Sequence, residues 1–454
     1  MKNKKKIIIT YGTYDMLHIG HLNLLRRSKA LGDYLIVGVT SEDYDRSRGK
    51  MNVVQGTKTR VRAIEQLEFV DKVIVEKHKG QKVEDIKKHK ADIFAIGDDW
   101  VGKFDYLKEY CAVEYIPRTE GISSTMLRSE KLKTIKLGII GTGRIAKRFV
   151  KEAEQVNDIE IHSVMSRNMD NVTDFIKGTN IHYGYDTVEN LLQDTIEAVY
   201  IASPHEYHYE QAKKALEAGK HVLCEKPITL EAKQLRELVK IAKKKKLILL
   251  EAIKTSFFPA FTKVLEEIKN GKIGEVKEVR STFTKIVEDK TAREWEAPYG
   301  GATNELASYP LLLAQKVLGE SKKITFYDQI ENNVDLANRI VCTHANDAIS
   351  ISTVAIGAKA EGSAVISGTK GYIYIPAPWW LTKDFFIRYE DPNIKASYHY
   401  DVEGDGIRYE IAEFATRIKR NKKKSPRLQP KDMLAINKII SKYNAKRNKE
   451  RENR

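Results

Sequence analysis

The sequence predicts an α/β protein built from three consecutive parts. In the first part, short β-branched segments alternate with amphipathic helical segments, which is typical of a doubly wound parallel sheet. The second part repeats this alternation after a short charged linker. In the third part, segments of period two indicate an α+β domain with an open antiparallel sheet. We therefore place the domains at residues 1–132, 133–255 and 256–454.

Composition and charge exclude several classes of protein. The 454 residues are 42% hydrophobic, enough for several cores, but no apolar run approaches the length of a bilayer, so we expect no membrane association. Three isolated cysteines form neither a zinc motif nor a disulfide framework, and lysines lead directly into the first strand without a signal peptide, so we expect a cytoplasmic protein. The net charge of +16 comes largely from lysine runs without interleaved aromatic residues. We therefore expect anionic substrates rather than a nucleic-acid partner.

The first candidate site follows the first predicted strand, Ile7–Thr10. His18 and His21 stand between this strand and a helical segment that begins near Leu22. Open parallel sheets bind their ligands at such junctions, and the N–H groups of a helix N-terminus face anions there. Imidazoles at this place can donate hydrogen bonds to a phosphate whose charge rises in the transition state. The pattern predicts nucleotidyl transfer rather than an incidental pair of histidines.

Further polar motifs follow the other strands of the first domain. We predict strands at residues 34–39, 73–75, 92–96 and 113–116, and a helix at residues 60–69. Gly97-Asp98-Asp99-Trp100 comes directly after the fourth strand, and Arg118-Thr119-Glu120-Gly121-Ile122-Ser123-Ser124-Thr125 follows the fifth. Arg118 can form paired hydrogen bonds with phosphate oxygens, and the hydroxyl groups of Ser123 to Thr125 can cap the next helix and bind phosphate.

These motifs, together with Gly12-Thr13-Tyr14-Asp15 and His18-Ile19-Gly20-His21, resemble those of glycerol-3-phosphate cytidylyltransferases across nearly the whole first domain. The resemblance implies attack by a polyol phosphate on the α-phosphorus of CTP, which arrives with Mg²⁺, and release of pyrophosphate. It implies that His18 and His21 stabilise the phosphorus centre. No protein ligand for the metal is predicted. The CTP-binding residues that it implies are Gly12, Thr13, Tyr14, Asp15, Arg48, Lys50, Arg60, Asp98, Arg118, Ser123, Ser124 and Thr125. The loop from Arg48 to Lys58 differs from the family pattern, which favours an acceptor other than glycerol phosphate.

A second strand-turn-helix pattern opens the second domain. The predicted strand at residues 135–140 leads into Gly141-Thr142-Gly143-Arg144-Ile145-Ala146, and apolar residues at helical spacing follow. Gly141 permits a tight turn, Gly143 lets the backbone approach a pyrophosphate, and Ala146 allows close packing of the helix. This context predicts a dinucleotide-binding Rossmann domain.

The residues after the next strand, 159–164, bear on the choice of dinucleotide. Ser166 and Arg167 stand where an NAD-selective site usually has an acidic side chain for the ribose hydroxyls. A hydroxyl and a guanidinium suit a 2′-phosphate instead, so we favour NADPH, while the nearby Asp170 keeps NADH open.

Strands are predicted at 198–202 and 221–224, and segments of period two follow at 274–284, 348–355, 363–367 and 371–375. Glu225-Lys226-Pro227, the Gly300-Gly301 stretch that ends in Tyr309-Pro310, and Ser425-Pro426-Arg427-Leu428 resemble motifs of the Gfo/Idh/MocA oxidoreductases over the whole second half. That family joins a Rossmann domain to an open-faced sheet and transfers hydride to or from sugar-like substrates.

This resemblance implies that Lys226 polarises the substrate oxygen and that Tyr309 is the acid/base, its pKa lowered by the neighbouring lysine. The resemblance also implies that His205 and Glu305 contact the substrate. The family usually carries aspartate at the position of Glu305. The cofactor-binding residues that it implies are Gly141, Thr142, Gly143, Arg144, Ile145, Ser166, Arg167, Ser203, Pro204, His208, Glu225 and Lys226. Because both families commonly self-associate, the resemblance also implies a dimer or a larger homo-oligomer.

Read together, the two halves predict a bifunctional enzyme. The second half would reduce a ketose phosphate with NADPH to an alditol phosphate, and the first half would convert it with CTP into a CDP-alditol for a surface polysaccharide such as a capsule or teichoic acid. Fructose 6-phosphate and ribulose 5-phosphate are favoured over dihydroxyacetone phosphate. The alternatives are two independent activities, a cofactor-sensing binding protein with an inactive reductase, and a basic scaffold for nucleic acid.

Overall fold

A computed structural model describes residues 5–51, 53–117, 134–402, 404–421 and 424–453. The described chain forms two compact units, which divide mainly between Thr134 and Ile135. Each unit has its own parallel sheet, and the second also carries a large mixed sheet. In the part of the chain that is described, no helix combines the length and the apolar character needed to cross a bilayer.

The first unit is a doubly wound α/β domain, which confirms the predicted class. Its elements are β1 (Ile7–Gly12), α1 (Ile19–Lys29), β2 (Tyr34–Thr40), α2 (Glu42–Ser47), α3 (Thr57–Glu65), β3 (Lys72–Glu76), α4 (Gln81–His89), β4 (Ile93–Gly97) and β5 (Ala112–Ile116). The third helix is displaced towards the N-terminus from the predicted 60–69, because the chain turns at Gln66 and leaves Leu67 and Phe69 to pack from the following loop.

The strand order of this unit decides where its loops meet. The five strands are parallel in the order β3-β2-β1-β4-β5, with β1 paired to β2 on one side and to β4 on the other. The chain therefore reverses its winding direction between β1 and β4, and such a switch point opens a crevice at the carboxyl ends of the strands. The buried Ile8 and Ile9 on opposite faces of β1 hold this strand in the centre of the sheet.

The second unit begins with a six-stranded parallel sheet in the order β11-β10-β9-β6-β7-β8, as a Rossmann fold requires. Its elements are β6 (Ile135–Ile140), α5 (Arg144–Ala153), β7 (Ile159–Met165), α6 (Met169–Ile176), β8 (Tyr183–Tyr185), α7 (Val188–Gln193), β9 (Ala198–Ile201), α8 (His205–Glu217), β10 (His221–Glu225), α9 (Ala232–Lys245) and β11 (Leu249–Ala252). The switch point lies between β6 and β9, so the loops that follow these strands face one another.

The rest of the second unit forms an eight-stranded sheet with helices beside it. Its elements are α10 (Pro259–Lys269), β12 (Val276–Thr284), α11 (Ala302–Leu306), α12 (Ser308–Leu318), β13 (Lys323–Glu331), β14 (Val334–Thr343), β15 (Ile349–Ala355), β16 (Ala364–Gly368), β17 (Gly371–Ile375), β18 (Asp384–Tyr389), β19 (Lys395–His399), α13 (Ile407–Lys419) and α14 (Pro430–Glu452).

This sheet is largely, but not wholly, antiparallel. Its order is β13-β14-β15-β12-β16-β17-β18-β19, and the central pair β12 and β15 is parallel. The antiparallel pairs that make up most of this sheet confirm the predicted α+β domain. The parallel pairing of β12 with β15 was not predicted, because alternation of side chains along a strand does not reveal the direction of its neighbour. The last helix, α14, returns to the Rossmann part, where Asn437 donates a hydrogen bond to the carbonyl oxygen of Thr229.

Candidate active sites

The turn after β1 is a tightly folded polar segment at the switch point of the first unit. Tyr14 and Met16 have positive φ angles of 51° and 50°. The ring of Tyr14 folds back over Gly12, where an added Cβ would lie 2.8 Å from a ring carbon and would displace the ring. Thr13, Tyr14 and Asp15 are all buried. Buried polar side chains in a strained turn are typical of a functional site.

The two histidines pack against each other at the start of α1. Their rings stack with centroids 3.9 Å apart, and Tyr14 presents its ring at 5.5 Å from His21 in an edge-on arrangement. Nδ1 of His18 accepts a hydrogen bond of 3.1 Å from the backbone N–H of Gly20 and so caps the helix. A neutral imidazole that accepts at Nδ1 carries its proton on Nε2, where it can donate to a phosphate oxygen.

Asp15 anchors the loop that differs from the family pattern. Its carboxylate accepts hydrogen bonds from the backbone N–H groups of Val54 at 3.0 Å and Gln55 at 2.9 Å. The side chain of Gln55 returns a hydrogen bond by accepting from the N–H of Met16 at 2.9 Å. Asp15 therefore joins the histidine turn to the loop, and in this structure its carboxylate is directed to the backbone.

Two predicted CTP-binding cations come together beside Thr13. Nζ of Lys50 donates to the Thr13 hydroxyl at 2.7 Å, and the guanidinium of Arg48 donates to Asp45 at 2.9 Å. The Thr13 hydroxyl in turn donates to the same oxygen of Asp45 at 3.3 Å. Burial raises the pKa of Asp45, although Arg48 and Lys50 oppose this shift. The sequence gives no motif that would have identified Asp45.

Arg60 occupies a different place from the one predicted. Its side chain is fully buried, and Nη1 donates to the carbonyl oxygens of Thr13 at 2.6 Å and Thr40 at 2.8 Å, while Nε donates to that of Gln55 at 2.8 Å. The guanidinium thus donates its hydrogen bonds to backbone carbonyl oxygens beneath the site. The prediction that Arg60 binds CTP is corrected to a supporting role, because the sequence could not show that the helix turns this residue inwards.

The other predicted CTP-binding residues divide into two groups. Asp98 is exposed and begins a short 3₁₀ turn directly after β4, across the switch point from the histidine turn. Arg118, Ser123, Ser124 and Thr125 lie outside the described residues. In the described segments, no three His, Cys, Asp or Glu side chains gather as a metal-binding cluster.

In the second unit, one cavity of about 810 Å³ contains every predicted residue of the reductase half. The lining comes from loops of the Rossmann sheet and from β12 and the helices after it. The predicted residues along it are Gly141, Thr142, Gly143, Arg144, Ile145, Ser166, Arg167, Ser203, Pro204, His205, His208, Glu225, Lys226, Glu305 and Tyr309.

The glycine turn after β6 has the geometry that a dinucleotide needs. Gly141 has φ +106°, and a Cβ there would lie 2.7 Å from the carbonyl oxygen of Ala202. Gly143 precedes the first residue of α5, and no atom lies within 4 Å of where its Cβ would be. Open space above a helix N-terminus accommodates a pyrophosphate, so these residues fit the phosphates of a nicotinamide dinucleotide.

Arg167 lies after β7 at the edge of the cavity. Its guanidinium lies 5.0 Å from the ring centroid of Tyr207 and donates a 3.2 Å hydrogen bond to the phenol oxygen. Arg167 is exposed and Ser166 is half-buried. A cation held beside an aromatic ring offers both charge and a flat surface to a nucleotide.

Lys226, Glu305 and His205 form a charged cluster inside the cavity. Nζ of Lys226 donates to the carbonyl oxygen of Glu305 at 2.7 Å and lies 3.8 Å from its carboxylate. Nε2 of His205 lies 3.8 Å from the other carboxylate oxygen of Glu305. Burial and the charge of Lys226 hold the pKa of His205 well below its usual range. The carboxylate of Glu305 therefore stands between a cation and a neutral imidazole.

His208 lies between two loops of the Rossmann sheet and contacts the backbone of both. Its two ring nitrogens lie 2.9 Å and 2.8 Å from the carbonyl oxygens of Pro227 and Ser203, and its side chain is fully buried. This geometry ties the loop after β9 to the loop after β10. His208 lines the cavity, and its ring nitrogens hold Ser203 and Pro227, so its contact with the cofactor stays a prediction.

Tyr309 has a pKa shift opposite to the one expected. Burial raises the pKa of its phenol, and the carboxyl groups of Glu225 and Glu410 raise it further, while Arg148 opposes them. Lys226 therefore does not govern this phenol, and the expectation of a lowered pKa was wrong. A phenol that keeps its proton is suited to donate a hydrogen bond or a proton to a substrate oxygen.

The structure adds residues to the cavity that sequence reasoning missed. Arg148 lies one helical turn after Arg144 on α5, a spacing that could have indicated it. Lys254, Lys285 and Glu410 also line the cavity, but they come from segments without a recognisable motif. The tertiary fold alone brings these charges to the site.

Comparisons with known proteins match one enzyme family to the first unit and another to the second. The family model described as cytidylyltransferase-like matches residues 9–130. The model for the oxidoreductase family with an NAD-binding Rossmann fold, GFO/IDH/MocA, matches residues 135–252, and that for the GFO/IDH/MocA C-terminal domain matches residues 261–374.

Individual relatives agree with these models. A glycerol-3-phosphate cytidylyltransferase from Bacillus spizizenii is 49% identical over 125 residues, which cover 28% of this chain and 96% of the relative. A trans-1,2-dihydrobenzene-1,2-diol dehydrogenase from Macaca fuscata fuscata is 28% identical over 304 residues, covering 64% of this chain and 90% of the relative. The crystal structure of KijD10, a 3-ketoreductase from Actinomadura kijaniata in complex with NADP and TDP-benzene, shares the fold with a TM-score of 0.61 at 23% identity, covering 68% of this chain and 96% of that one.

The histidine turn and the cavity that contains Lys226 thus lie in parts of the chain that match two different enzyme families. The chain belongs to the cytidylyltransferase-like family in its first part and to the GFO/IDH/MocA oxidoreductase family in its second, and it combines a nucleotidyltransferase with an NAD(P)-dependent oxidoreductase.

Proposed function

We propose that this protein makes a CDP-alditol in two steps. In the first step, a ketose phosphate accepts a hydride at its carbonyl carbon and a proton at its carbonyl oxygen, and it becomes an alditol phosphate. In the second, a phosphate oxygen of that product attacks the α-phosphorus of CTP, and pyrophosphate leaves. The observation that carries the proposal is the union, on one chain, of a domain related to glycerol-3-phosphate cytidylyltransferases with an NAD(P)-dependent oxidoreductase domain.

In the reductase cavity, the residues divide the work of binding and proton transfer. NADPH, when bound, supplies the hydride. Lys226, held by the carbonyl oxygen of Glu305, would direct an N–H group at the substrate oxygen, where it offsets the developing negative charge. Tyr309, whose raised pKa keeps its proton, would donate that proton to the oxygen. The carboxylate of Glu305 would accept hydrogen bonds from substrate hydroxyls.

We propose NADPH rather than NADH as the reductant because of the residues after β7. Arg167 is exposed beside the cavity, and Ser166 offers a hydroxyl next to it. These groups would bind the 2′-phosphate, while Asp170 lies further along, in the first turn of α6. The reductase KijD10, which has the same fold, was crystallised with NADP.

In the first unit, the histidines and the cations would act on CTP, which we propose binds together with Mg²⁺. His18 and His21 would donate hydrogen bonds to oxygens of the α-phosphate, whose negative charge rises in the transition state. Lys50 and Arg48 would hold the β- and γ-phosphates. Asp98, exposed after β4, would bind a hydroxyl group of the nucleotide or of the polyol. We also propose that the CDP-alditol serves as a polyol-phosphate donor for a surface polysaccharide.

The experiment that tests the proposal supplies each ketose phosphate separately. The full-length protein is mixed with NADPH, MgCTP and fructose 6-phosphate, ribulose 5-phosphate or dihydroxyacetone phosphate. We expect one of these to cause loss of NADPH absorbance together with a CDP-alditol diphosphate signal in the ³¹P NMR spectrum. Absence of NADPH oxidation with all three would refute the coupled reaction.

Two matched variants separate the steps. Lys226→Met should abolish NADPH oxidation but leave CDP-alditol formation from added alditol phosphate intact. His18→Ala should abolish CDP-alditol formation but leave NADPH oxidation intact. If Lys226→Met had no effect on CDP-alditol formation from the ketose, the two halves would not act in sequence.

A second candidate function is supported by the relatives of the first unit. The match at 49% identity to a glycerol-3-phosphate cytidylyltransferase favours glycerol phosphate as the acceptor, and the reductase half would then act on an unrelated sugar or nucleotide sugar. In that case CDP-glycerol would form from added glycerol 3-phosphate, but no ketose phosphate would consume NADPH. The same mixtures, together with one that contains glycerol 3-phosphate and MgCTP, therefore decide between the two functions.

A further inference from the structure

We infer that Asp45 is a positioning residue for the triphosphate of CTP, which it would act on through Arg48 and Lys50. The inference rests on nucleotidyl transfer by the first unit and not on the identity of the acceptor. Asp45 lies on α2, outside every motif that identified the site, and its side chain is fully buried. A carboxylate with no exposure to water is costly unless nearby cations and donors compensate it.

The contacts of Asp45 connect the two parts of the candidate CTP site. Its Oδ1 accepts hydrogen bonds from the guanidinium of Arg48 at 2.9 Å and from the hydroxyl of Thr13 at 3.3 Å. Thr13 belongs to the turn that carries the histidines, and Arg48 belongs to the polar loop. One carboxylate oxygen therefore holds the turn and the loop together.

Lys50 is joined to the same centre in two ways. Its Nζ donates to the Thr13 hydroxyl at 2.7 Å, and its backbone N–H donates to the carbonyl oxygen of Asp45 at 2.8 Å. The hydroxyl of Thr13 relays the contact, because it accepts from Lys50 while it donates to Asp45. The backbone bond would persist whatever the side chain at position 45, so the position of this ammonium group depends on the Asp45 carboxylate through Thr13.

The second carboxylate oxygen faces the support beneath the site. Oδ2 of Asp45 lies 3.9 Å from Nη1 of Arg60, and within the described part of the chain it accepts no hydrogen bond. Arg60 also donates to the carbonyl oxygen of Thr13. Asp45 therefore has a cation on the buried side, which fixes its orientation, and two cations on the partly exposed side.

The sign of the effect on CTP binding separates positioning from simple electrostatics. A carboxylate near a triphosphate repels it, so neutralising Asp45 should tighten binding if charge alone mattered. If Asp45 instead orients Arg48 and Lys50, neutralising it weakens the contacts that position both cations, and binding weakens. The two explanations predict changes in opposite directions.

The experiment measures the dissociation constant of MgCTP by calorimetry with full-length Asp45→Asn. We expect binding to weaken about tenfold, the scale of one charge-assisted interaction. The matched control is Asp43→Asn, an exposed carboxylate two positions earlier on the same helix, which should change the constant less than twofold. Unchanged or tighter binding by Asp45→Asn would overturn the inference. Failure of the wild-type protein to bind MgCTP would instead refute nucleotidyl transfer from CTP.

A double-mutant cycle tests whether Asp45 acts through Arg48. In a chain that carries Arg48→Ala, the effect of Asp45→Asn should be at least threefold smaller, because one of the groups that it positions is gone. Equal losses in both backgrounds would contradict the inference. In turnover assays, Asp45→Asn should raise the KM for CTP about tenfold while changing the KM for the acceptor less than twofold. A purely structural defect would not discriminate between the two substrates.

Should Asp45→Asn fail to fold, Asp45→Glu carries the same test. It keeps the buried charge but moves it by one methylene group, so it should weaken MgCTP binding at least threefold when Arg48 is present and less when Arg48 is alanine. Equal losses in the two backgrounds would overturn the inference. NADPH binding by the second unit of the same chain provides the internal control, because it should not change in any of these variants.

Discussion

Replacing Arg60 by methionine removes the buried cation on which several segments of the first unit converge. The guanidinium donates to the carbonyl oxygens of Thr13, Thr40 and Gln55 and contacts the hydroxyl of Thr57 at 3.4 Å. These acceptors lie at the ends of β1 and β2, in the following loop and in α3. Methionine fills a similar volume but donates no hydrogen bond, so the substitution isolates the polar contribution.

The expected loss of stability follows from these contacts. Each hydrogen bond from a charged donor contributes about 1.5 kcal/mol or more. The substitution would remove this donor from the carbonyl oxygens of Thr13 and Thr40, whose contacts are buried, and from that of Gln55, whose contact is partly buried. Asp45 would also lose a cation 3.9 Å away, although Arg48 remains beside it. The apolar burial of methionine offsets part of the loss. We therefore expect the free energy of unfolding of the first unit to fall by about 3–5 kcal/mol.

The assay is hydrogen exchange of the full-length protein, followed by mass spectrometry of peptides that cover β1 and β2. The opening free energy of these peptides should fall in Arg60→Met, while peptides of the Rossmann sheet should not change. The control is Arg62→Met, an exposed arginine on the same helix, for which we expect a change within about 0.5 kcal/mol. A loss below about 1 kcal/mol in Arg60→Met, or equal losses in the two variants, would refute the reasoning.

Three further predictions concern the active sites. His21→Ala should lower kcat for cytidylyl transfer by about 10²–10³-fold with the affinity for MgCTP nearly unchanged, as measured by calorimetry and initial rates. Because burial and nearby carboxyl groups raise the pKa of Tyr309, the phenol retains its proton as the pH rises, so kcat/KM for ketone reduction should show no loss from this group between about pH 7 and pH 10. Tyr309→Phe should lower kcat/KM by about 10²-fold over this whole range. A decline of the wild-type kcat/KM near pH 8 that disappears in Tyr309→Phe would contradict the prediction. Arg167→Asp should lower kcat/KM with NADPH by about 10²-fold and change that with NADH less than threefold; equal losses with both cofactors would argue against a 2′-phosphate contact.

Much of the fold follows from short-range patterns. The β-branched runs that become β1 and β6 predict buried central strands, because both faces of a parallel sheet are covered. Gly141 and Gly143 indicate the dinucleotide turn, because few other residues tolerate its backbone geometry or leave room for a phosphate. The parallel pairing of β12 with β15 has no such signature, since it joins strands that are far apart in sequence.

The sequence by itself identified the two enzyme families and predicted where their sites lie, because a strand end, a glycine turn and a following helix fix the local backbone around His18 and Gly143. Only the tertiary structure decided which charges surround these sites. It turned Arg60 inwards, placed Asp45 between the histidine turn and the polar loop, and set Glu410 near the phenol of Tyr309. The burial and neighbours of a charged side chain depend on segments distant in the chain, so the direction of a pKa shift cannot be obtained from spacing alone.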